Sequence, residues 1–245
     1  MKRFGLIGYP LGHSFSKKYF TEKFEREQLH DHAYELFPLQ SIHELPGLVS
    51  SHPDLIGLNV TIPYKQAVLP YLDATRLPPD LPASNCIKIE DGKLTGFNTD
   101  VIGFEKTFVP HLKPHHTRAL VLGNGGATAA VLHVLNKFGI EYNVVSRKLH
   151  RGSTLTYDGL SSELIAEHTV IINTTPLGTF PEVDRCPDIP YESITSRHYL
   201  YDLIYNPAKT LFLLQGEKRG ARIVNGYDML EIQAEESWKI WNGIA

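Results

Sequence analysis

The chain has 245 residues, 42% of them hydrophobic and 21% charged, which allows one large domain or two ordinary ones with buried cores. A net charge of −3 without a long basic run gives no sign of nucleic acid or an anionic membrane as a partner; the N-terminal apolar run is too short for a signal-peptide core, and no stretch approaches the length of a membrane span. The two cysteines, Cys86 and Cys186, are far apart and fit a reducing cytoplasm; His30/His32 and His115/His116 lack partners at metal-ligand spacing and read as surface or loop histidines.

Residues 4–7 read as a strand that runs into the loop Gly8-Tyr9-Pro10-Leu11-Gly12-His13-Ser14-Phe15-Ser16. A helix follows over 17–29, with Tyr19, Phe20 and Phe24 on its apolar face. Ser14 or Ser16 stands where a serine most often caps a helix. A strand over 34–37, a helix over 42–51 and a strand over 55–61 come next. Ile62-Pro63 stops that strand, and Tyr64-Lys65 opens another helix. Prolines make 75–82 a loop. Strands over 83–89 and 94–97 flank the hairpin signal Asp91-Gly92, and the second ends at Asn98-Thr99-Asp100. A helix over 101–109 then leads into a linker holding Pro110 and Pro114. Strands alternating with helices predict a mostly parallel sheet.

The stretch 118–151 carries the most specific pattern. A buried strand over 119–122 meets Gly123-Asn124-Gly125-Gly126-Ala127-Thr128, a helix former over 129–135 follows, Gly139 stops it, and 142–145 reads as a second strand. Strand, glycine turn, helix and strand form the opening βαβ unit of a dinucleotide-binding domain: glycines let backbone approach a pyrophosphate, and the helix N-terminus offers it free N–H groups. Thr128 occupies the usual third-glycine position. At the end of the second strand an NAD site carries a carboxylate for the ribose 2′-OH, whereas this chain has Ser146-Arg147-Lys148 with Arg151 beyond. Guanidinium pairs with a 2′-phosphate, so the expected cofactor is NADP. Later strands are expected over 169–173 and 199–203, and an amphipathic helix over 228–241.

An NADP domain implies hydride transfer, so the first domain should hold an alcohol or carbonyl substrate. Ser14, Ser16, Asn59, Thr61, Lys65, Asn85, Asn98 and Asp100 fall at strand ends, which border the ligand crevice in α/β sheets. Many hydroxyls and amides with one lysine and one aspartate suit a small polyhydroxylated substrate. Taken singly, Lys65 reads as a solvated lysine and Asp100 as a helix cap. Together, a lysine and a carboxylate can remove the alcohol proton as hydride leaves.

The order and wording of the motifs resemble the shikimate dehydrogenases. The resemblance rests on Gly8-Tyr9-Pro10 with His13-Ser14-Phe15-Ser16, Asn59-Val60-Thr61-Ile62-Pro63-Tyr64-Lys65 and Gly96-Phe97-Asn98-Thr99-Asp100. It continues through Gly123-Asn124-Gly125-Gly126-Ala127, Asn173-Thr174-Thr175-Pro176, Tyr201-Asp202-Leu203-Ile204-Tyr205-Asn206-Pro207, and Asn225-Gly226-Tyr227-Asp228-Met229-Leu230 with Gln233-Ala234. It implies an α/β substrate domain over 1–101, joined by a returning C-terminal helix over 227–245. A Rossmann-like, doubly wound parallel-sheet NADP domain over 102–226 lies between them. By this resemblance Ser14 and Ser16 hold the substrate carboxylate, and Thr61, Asn85, Asp100, Tyr205 and Gln233 its hydroxyls and ring. Lys65 and Asp100 are the catalytic pair, with Lys65 favoured as the proton-transfer group and Asp100 as the residue that positions the reacting hydroxyl; the sequence leaves open which of the two moves the proton. Gly123, Asn124, Gly125, Gly126 and Ala127 carry the pyrophosphate, and Ser146, Arg147, Lys148 and Arg151 the 2′-phosphate. Leu203, Gly226 and Met229 meet the nicotinamide end.

The family's Ser-Pro is Ser16-Lys17 here, Cys86 stands where threonine is common, and Ser146-Arg147-Lys148 replaces Asn-Arg-Thr. The implied reaction is the reversible NADP-dependent reduction of 3-dehydroshikimate to shikimate in the cytoplasm. A relative acting on quinate or NAD, and a regulatory protein without turnover, are the other readings, although the latter should have lost Lys65 or Asp100. The sequence leaves open whether the chain forms a homodimer.

Overall fold

The computed structural model describes all of residues 1–245 except His13, His150, Arg151 and Ala245. The chain divides into two compact units, Met1–Thr99 with Gln233–Ala245, and Asp100–Ile232.

The first unit runs β1 (Lys2–Gly8), α1 (Phe15–Arg26), β2 (His32–Pro38), α2 (Leu45–Ser51), β3 (Leu55–Val60), α3 (Tyr64–Ala67), β4 (Ala74–Thr75), β5 (Cys86–Glu90) and β6 (Lys93–Phe97). The helix expected over 42–51 is broken. Ser41 and Glu44 form a capping box on a 3₁₀ turn over Ile42–Glu44, and Pro46, which has no N–H to give, opens a separate α2.

Its sheet has the order β2-β1-β3-β5-β6-β4. β1 pairs in parallel with β2 and β3, but β5 is antiparallel to both β3 and β6. The expected parallel sheet is thus mixed in this unit, and the reason is local. Asp91 (φ 52°) and Gly92 (φ 74°) make a two-residue turn, and so short a connection joins only antiparallel strands. β5 also begins later than expected, leaving Ala83, Ser84 and Asn85 as loop.

The second unit holds α4 (Asp100–Phe108), β7 (Arg118–Leu122), α5 (Thr128–Lys137), β8 (Glu141–Ser146), β9 (Leu155–Thr156), α6 (Ser162–Glu167), β10 (Val170–Asn173), β11 (Tyr199–Asp202), α7 (Leu211–Glu217), β12 (Arg222–Val224) and α8 (Tyr227–Trp241). From Gln233 onward α8 belongs to the first unit. All strand pairs are parallel, in the order β12-β11-β10-β7-β8-β9. This is the doubly wound dinucleotide-binding arrangement, whose topological switch point lies between β7 and β10. Both faces of the sheet are buried: Ala119, Val121, Val170 and Ile172 lie in one apolar cluster, and Leu120, Leu122 and Ile171 in another.

The histidines depart from expectation. His116 and His198 are buried, and each ring works as a two-ended connector. The Nδ1 atoms accept the Lys113 and Thr195 N–H groups at 3.0 Å, and the Nε2–H groups donate to the Arg197 and Ile165 carbonyls at 3.0 Å. Burial holds the His116 pKa below its ordinary value, partly opposed by the bond to Arg197. Among the described residues no group of three or more His, Cys, Asp or Glu side chains could hold a metal ion.

Candidate active site

The polar residues of the first unit converge where β1, β3 and the loops around β5 and β6 end. The Ser14 hydroxyl accepts the Lys17 N–H at 3.3 Å, so this serine does cap α1. Ser16 lies in the first turn of α1, near the buried Tyr34 phenol. Burial pushes that phenol far above its ordinary pKa, so it stays protonated. Thr61 follows β3, with its N–H bonded to the Ile7 carbonyl at 2.9 Å. Lys65 is half-buried on α3, and its own carbonyl accepts the Ser84 N–H at 2.7 Å. That bond ties the lysine's helix to the loop carrying Asn85.

Asn85 is 3% exposed and grips Thr99 at both ends of its amide. Its Oδ1 accepts the Thr99 N–H at 2.7 Å, and its Nδ2 donates to the Thr99 hydroxyl at 3.0 Å. Thr99 also reaches the Gln233 Oε1 at 3.5 Å. Sequence reasoning overlooked Thr99, although it sits inside the quoted Asn98-Thr99-Asp100. Asp100 is the buried first residue of α4, where a carboxylate is favoured by the helix dipole.

In the second unit the glycine turn links β7 to α5. Gly123 has φ +106°, and a Cβ there would meet the Thr174 hydroxyl at 2.8 Å and Thr175 Cγ2 at 2.9 Å. Only glycine suits that position. Thr128, buried at the start of α5, accepts the Gly125 N–H at 3.0 Å and touches the Thr174 hydroxyl at 2.9 Å, pinning the turn across the switch point. No side chain caps α5. Asn124 and Gly125 are exposed, and Gly126 and Ala127 partly so. An open glycine turn before an uncapped ten-residue helix fits a dinucleotide pyrophosphate. Ser146 is buried and donates to the Lys148 carbonyl at 2.6 Å, shaping the turn in which Arg147 and Lys148 lie exposed. Neither cation has a carboxylate partner among the described residues, which fits a 2′-phosphate. Arg151 lies outside the described residues.

At the ends of β10 and β11 a buried network organises the next loops. Asp202 accepts from Asn173 Nδ2 (3.0 Å), the Ile204 N–H (3.1 Å) and the Thr210 hydroxyl (2.5 Å). Burial raises its pKa to about 7, against the pull of these three donors. Leu203 follows, its N–H on the Asn173 carbonyl at 3.0 Å. The Gly226 N–H bonds the Ile204 carbonyl at 3.0 Å. Met229 is buried within the cluster that includes Tyr201. Tyr205 is half-buried, and desolvation raises its phenol pKa.

Residues 6–87 match the family model of the shikimate dehydrogenase substrate binding domain. A protein of Halothermothrix orenii named shikimate dehydrogenase (NADP(+)) is 35% identical over 98% of this chain and 90% of its own length. The crystal structure of shikimate 5-dehydrogenase from Thermus thermophilus, in complex with NADP(H) and shikimate, has a TM-score of 0.84 at 30% identity and covers 99% of this chain and 94% of that one. A Listeria monocytogenes shikimate 5-dehydrogenase in complex with shikimate and NAD has a TM-score of 0.84 at 25% identity, covering 99% and 92%. With the glycine turn, the strand order and the Asn85–Thr99 grip in place, relatedness along almost the whole chain shows that it belongs to the shikimate dehydrogenase family.

Proposed function

We infer that this protein is an NADP-dependent oxidoreductase that interconverts 3-dehydroshikimate and shikimate, the ketone and secondary alcohol of one ring position, on the route to chorismate and the aromatic amino acids. The observation that carries this reading is that a relative named for shikimate and NADP(+) matches 98% of the chain, so both units are covered together.

The residue roles are carried over from the resemblance, and their chemistry suits them. Ser14 and Ser16 supply hydroxyls to the substrate carboxylate, and Thr61, Asn85, Tyr205 and Gln233 address the ring and its hydroxyls. Asp100 orients the reacting hydroxyl, and Lys65 Nζ takes its proton in oxidation and returns it in reduction. NADP, when bound, would supply the hydride in reduction or accept it in oxidation. Gly123, Asn124, Gly125, Gly126 and Ala127 would hold its pyrophosphate by backbone contact, and Ser146, Arg147, Lys148 and Arg151 its 2′-phosphate. Leu203, Gly226 and Met229 would border the nicotinamide. No helix among the described residues is long and apolar enough to cross a membrane, and the reading places the protein in the cytoplasm. Sedimentation tests for a homodimer: a mass of twice 27.6 kDa is the expected result.

The Listeria relative in complex with NAD makes cofactor choice a measurement. Shikimate and quinate are each assayed with NADP and with NAD at the nicotinamide absorbance band. Turnover with shikimate and NADP, lost by orders of magnitude in Lys65→Ala while NADP binding is kept, is the expected result. Comparable quinate or NAD rates would move the protein to the relaxed paralogue. Silence in all four reactions, with NADP still bound, would make it a regulatory homologue.

A further inference from the structure

Three side chains behind the substrate amides form one buried, directional network. The Tyr34 hydroxyl donates to Asn59 Oδ1 at 2.8 Å. Asn59 Nδ2 has two protons, one directed at the Ser237 hydroxyl at 3.0 Å and the other at the Asn85 carbonyl at 3.3 Å. The carbonyl can only accept, so the Asn59 amide has one permitted orientation, and its polar atoms are used within the protein. Ser237 donates its single proton to the Gln233 carbonyl at 2.9 Å, one turn back along α8. Its oxygen faces both Asn59 and, at 3.3 Å, the Thr99 hydroxyl. Thr99 closes the circuit onto Asn85. Tyr34, Asn59, Asn85, Thr99, Gln233 and Ser237 are all buried.

The network therefore touches Asn85 and Gln233 from behind, and through Thr99 it fixes the residue that precedes Asp100. We propose that Tyr34, Asn59 and Ser237 are positioning residues of the substrate site, which set the amides of Asn85 and Gln233 in one preorganised arrangement. They act through other residues and touch no substrate themselves. In an interior of low dielectric a satisfied network of this kind is stiff, and an unsatisfied member lets its neighbours turn. A site built on amides needs that stiffness, because an Asn or Gln that rotates exchanges a donor for an acceptor.

The inference rests on the functional reading above. The test uses the full chain with shikimate and NADP. In Ser237→Ala the KM for shikimate should rise by about tenfold, the scale of one lost buried hydrogen bond. The Kd for NADP, measured by titration calorimetry, should stay within about twofold. Tyr34→Phe, which removes one oxygen and little volume, should raise the same KM and serves if the serine variant folds poorly. In an Asn85→Ala background, Ser237→Ala should add less than it does alone, because part of its effect passes through that amide. A lowered melting temperature with unchanged shikimate KM in both folded variants would mean a purely structural network. Full additivity with Asn85→Ala would equally overturn the proposal. Wild-type protein that neither binds nor oxidises shikimate would overturn the functional reading, and this inference with it.

Discussion

Gly226 offers the sharpest test of the second unit. Its N–H is bonded to the Ile204 carbonyl at 3.0 Å, and its own carbonyl accepts the Leu230 N–H at 3.0 Å, so it fixes both the loop after β11 and the first turn of α8. A Cβ at this position would lie 2.6 Å from the Leu203 carbonyl carbon and 3.1 Å from its Cα, with the carbonyl oxygen nearer still. These are backbone atoms, and no rotamer change can make room. Gly226→Ala must therefore move one segment away from the other. Overpacking of this kind costs about 1–3 kcal/mol, and the strained or broken bond to Ile204 adds about 1 kcal/mol. The sum, roughly 2–4 kcal/mol, corresponds to a fall in Tm of about 5–15 °C for a domain of this size. Calorimetry gives the midpoint, and amide exchange should rise in β11 and β12 before it rises in β1 and β3. In the proposed reading Leu203 and Gly226 also border the nicotinamide, so NADP affinity should fall with stability. A midpoint within about 2 °C of wild type would show that the loop yields freely and that the clash argument is wrong.

Two further outcomes follow from groups in the same unit. The Asp202 carboxyl has a folded pKa of about 7 against an ordinary value of 3.8, so its contribution to stability is fully present below about pH 4 and is lost as pH rises through 7. In Asp202→Asn the gap to wild type should therefore shift by roughly 2–3 kcal/mol in favour of the variant between pH 5 and 8. Denaturant titrations at the two pH values check it, and a constant gap would refute the burial argument. Arg147→Ala should weaken NADP binding by about 1.5–3 kcal/mol and leave NAD almost untouched; equal losses in calorimetric titrations with both dinucleotides would remove the arginine from the 2′-phosphate site.

The parts legible in the sequence are those with strong local signals. Val170–Asn173 is a short apolar run buried on both faces, and the glycine turn lies between such a strand and a helix, so periodicity and context identify both. β9, α6, α7 and β12 escaped, because elements of two to seven residues carry too little pattern to stand out. His116 reads as a surface or loop residue from its sequence, yet it is buried and bonded to the Arg197 carbonyl 81 residues along the chain. The substrate site divides in the same way. Lys65, Asn85 and Asp100 lie in segments with recognisable wording, whereas Ser237 meets Asn59 across a separation of 178 residues that no local pattern can encode.

The division of α8 also carries a consequence for the order of synthesis. The first unit is discontinuous: Ala234, Trp238 and Trp241 complete the cluster around Phe4 and Phe20, and Trp241 Nε1 closes on the Ile87 carbonyl at 3.0 Å. A ribosome delivers these residues only after the whole of Asp100–Ile232 has emerged. The nucleotide unit can thus finish folding on the nascent chain while the substrate unit, begun first, still lacks part of its interior. Until those residues arrive, Phe4 and Phe20, which are fully buried in the folded unit, would lack part of their cover, and exposed aromatic surface of that kind is what chaperones hold. Translation stopped just before Gln233 should accordingly leave one finished unit and one sticky, unfinished one.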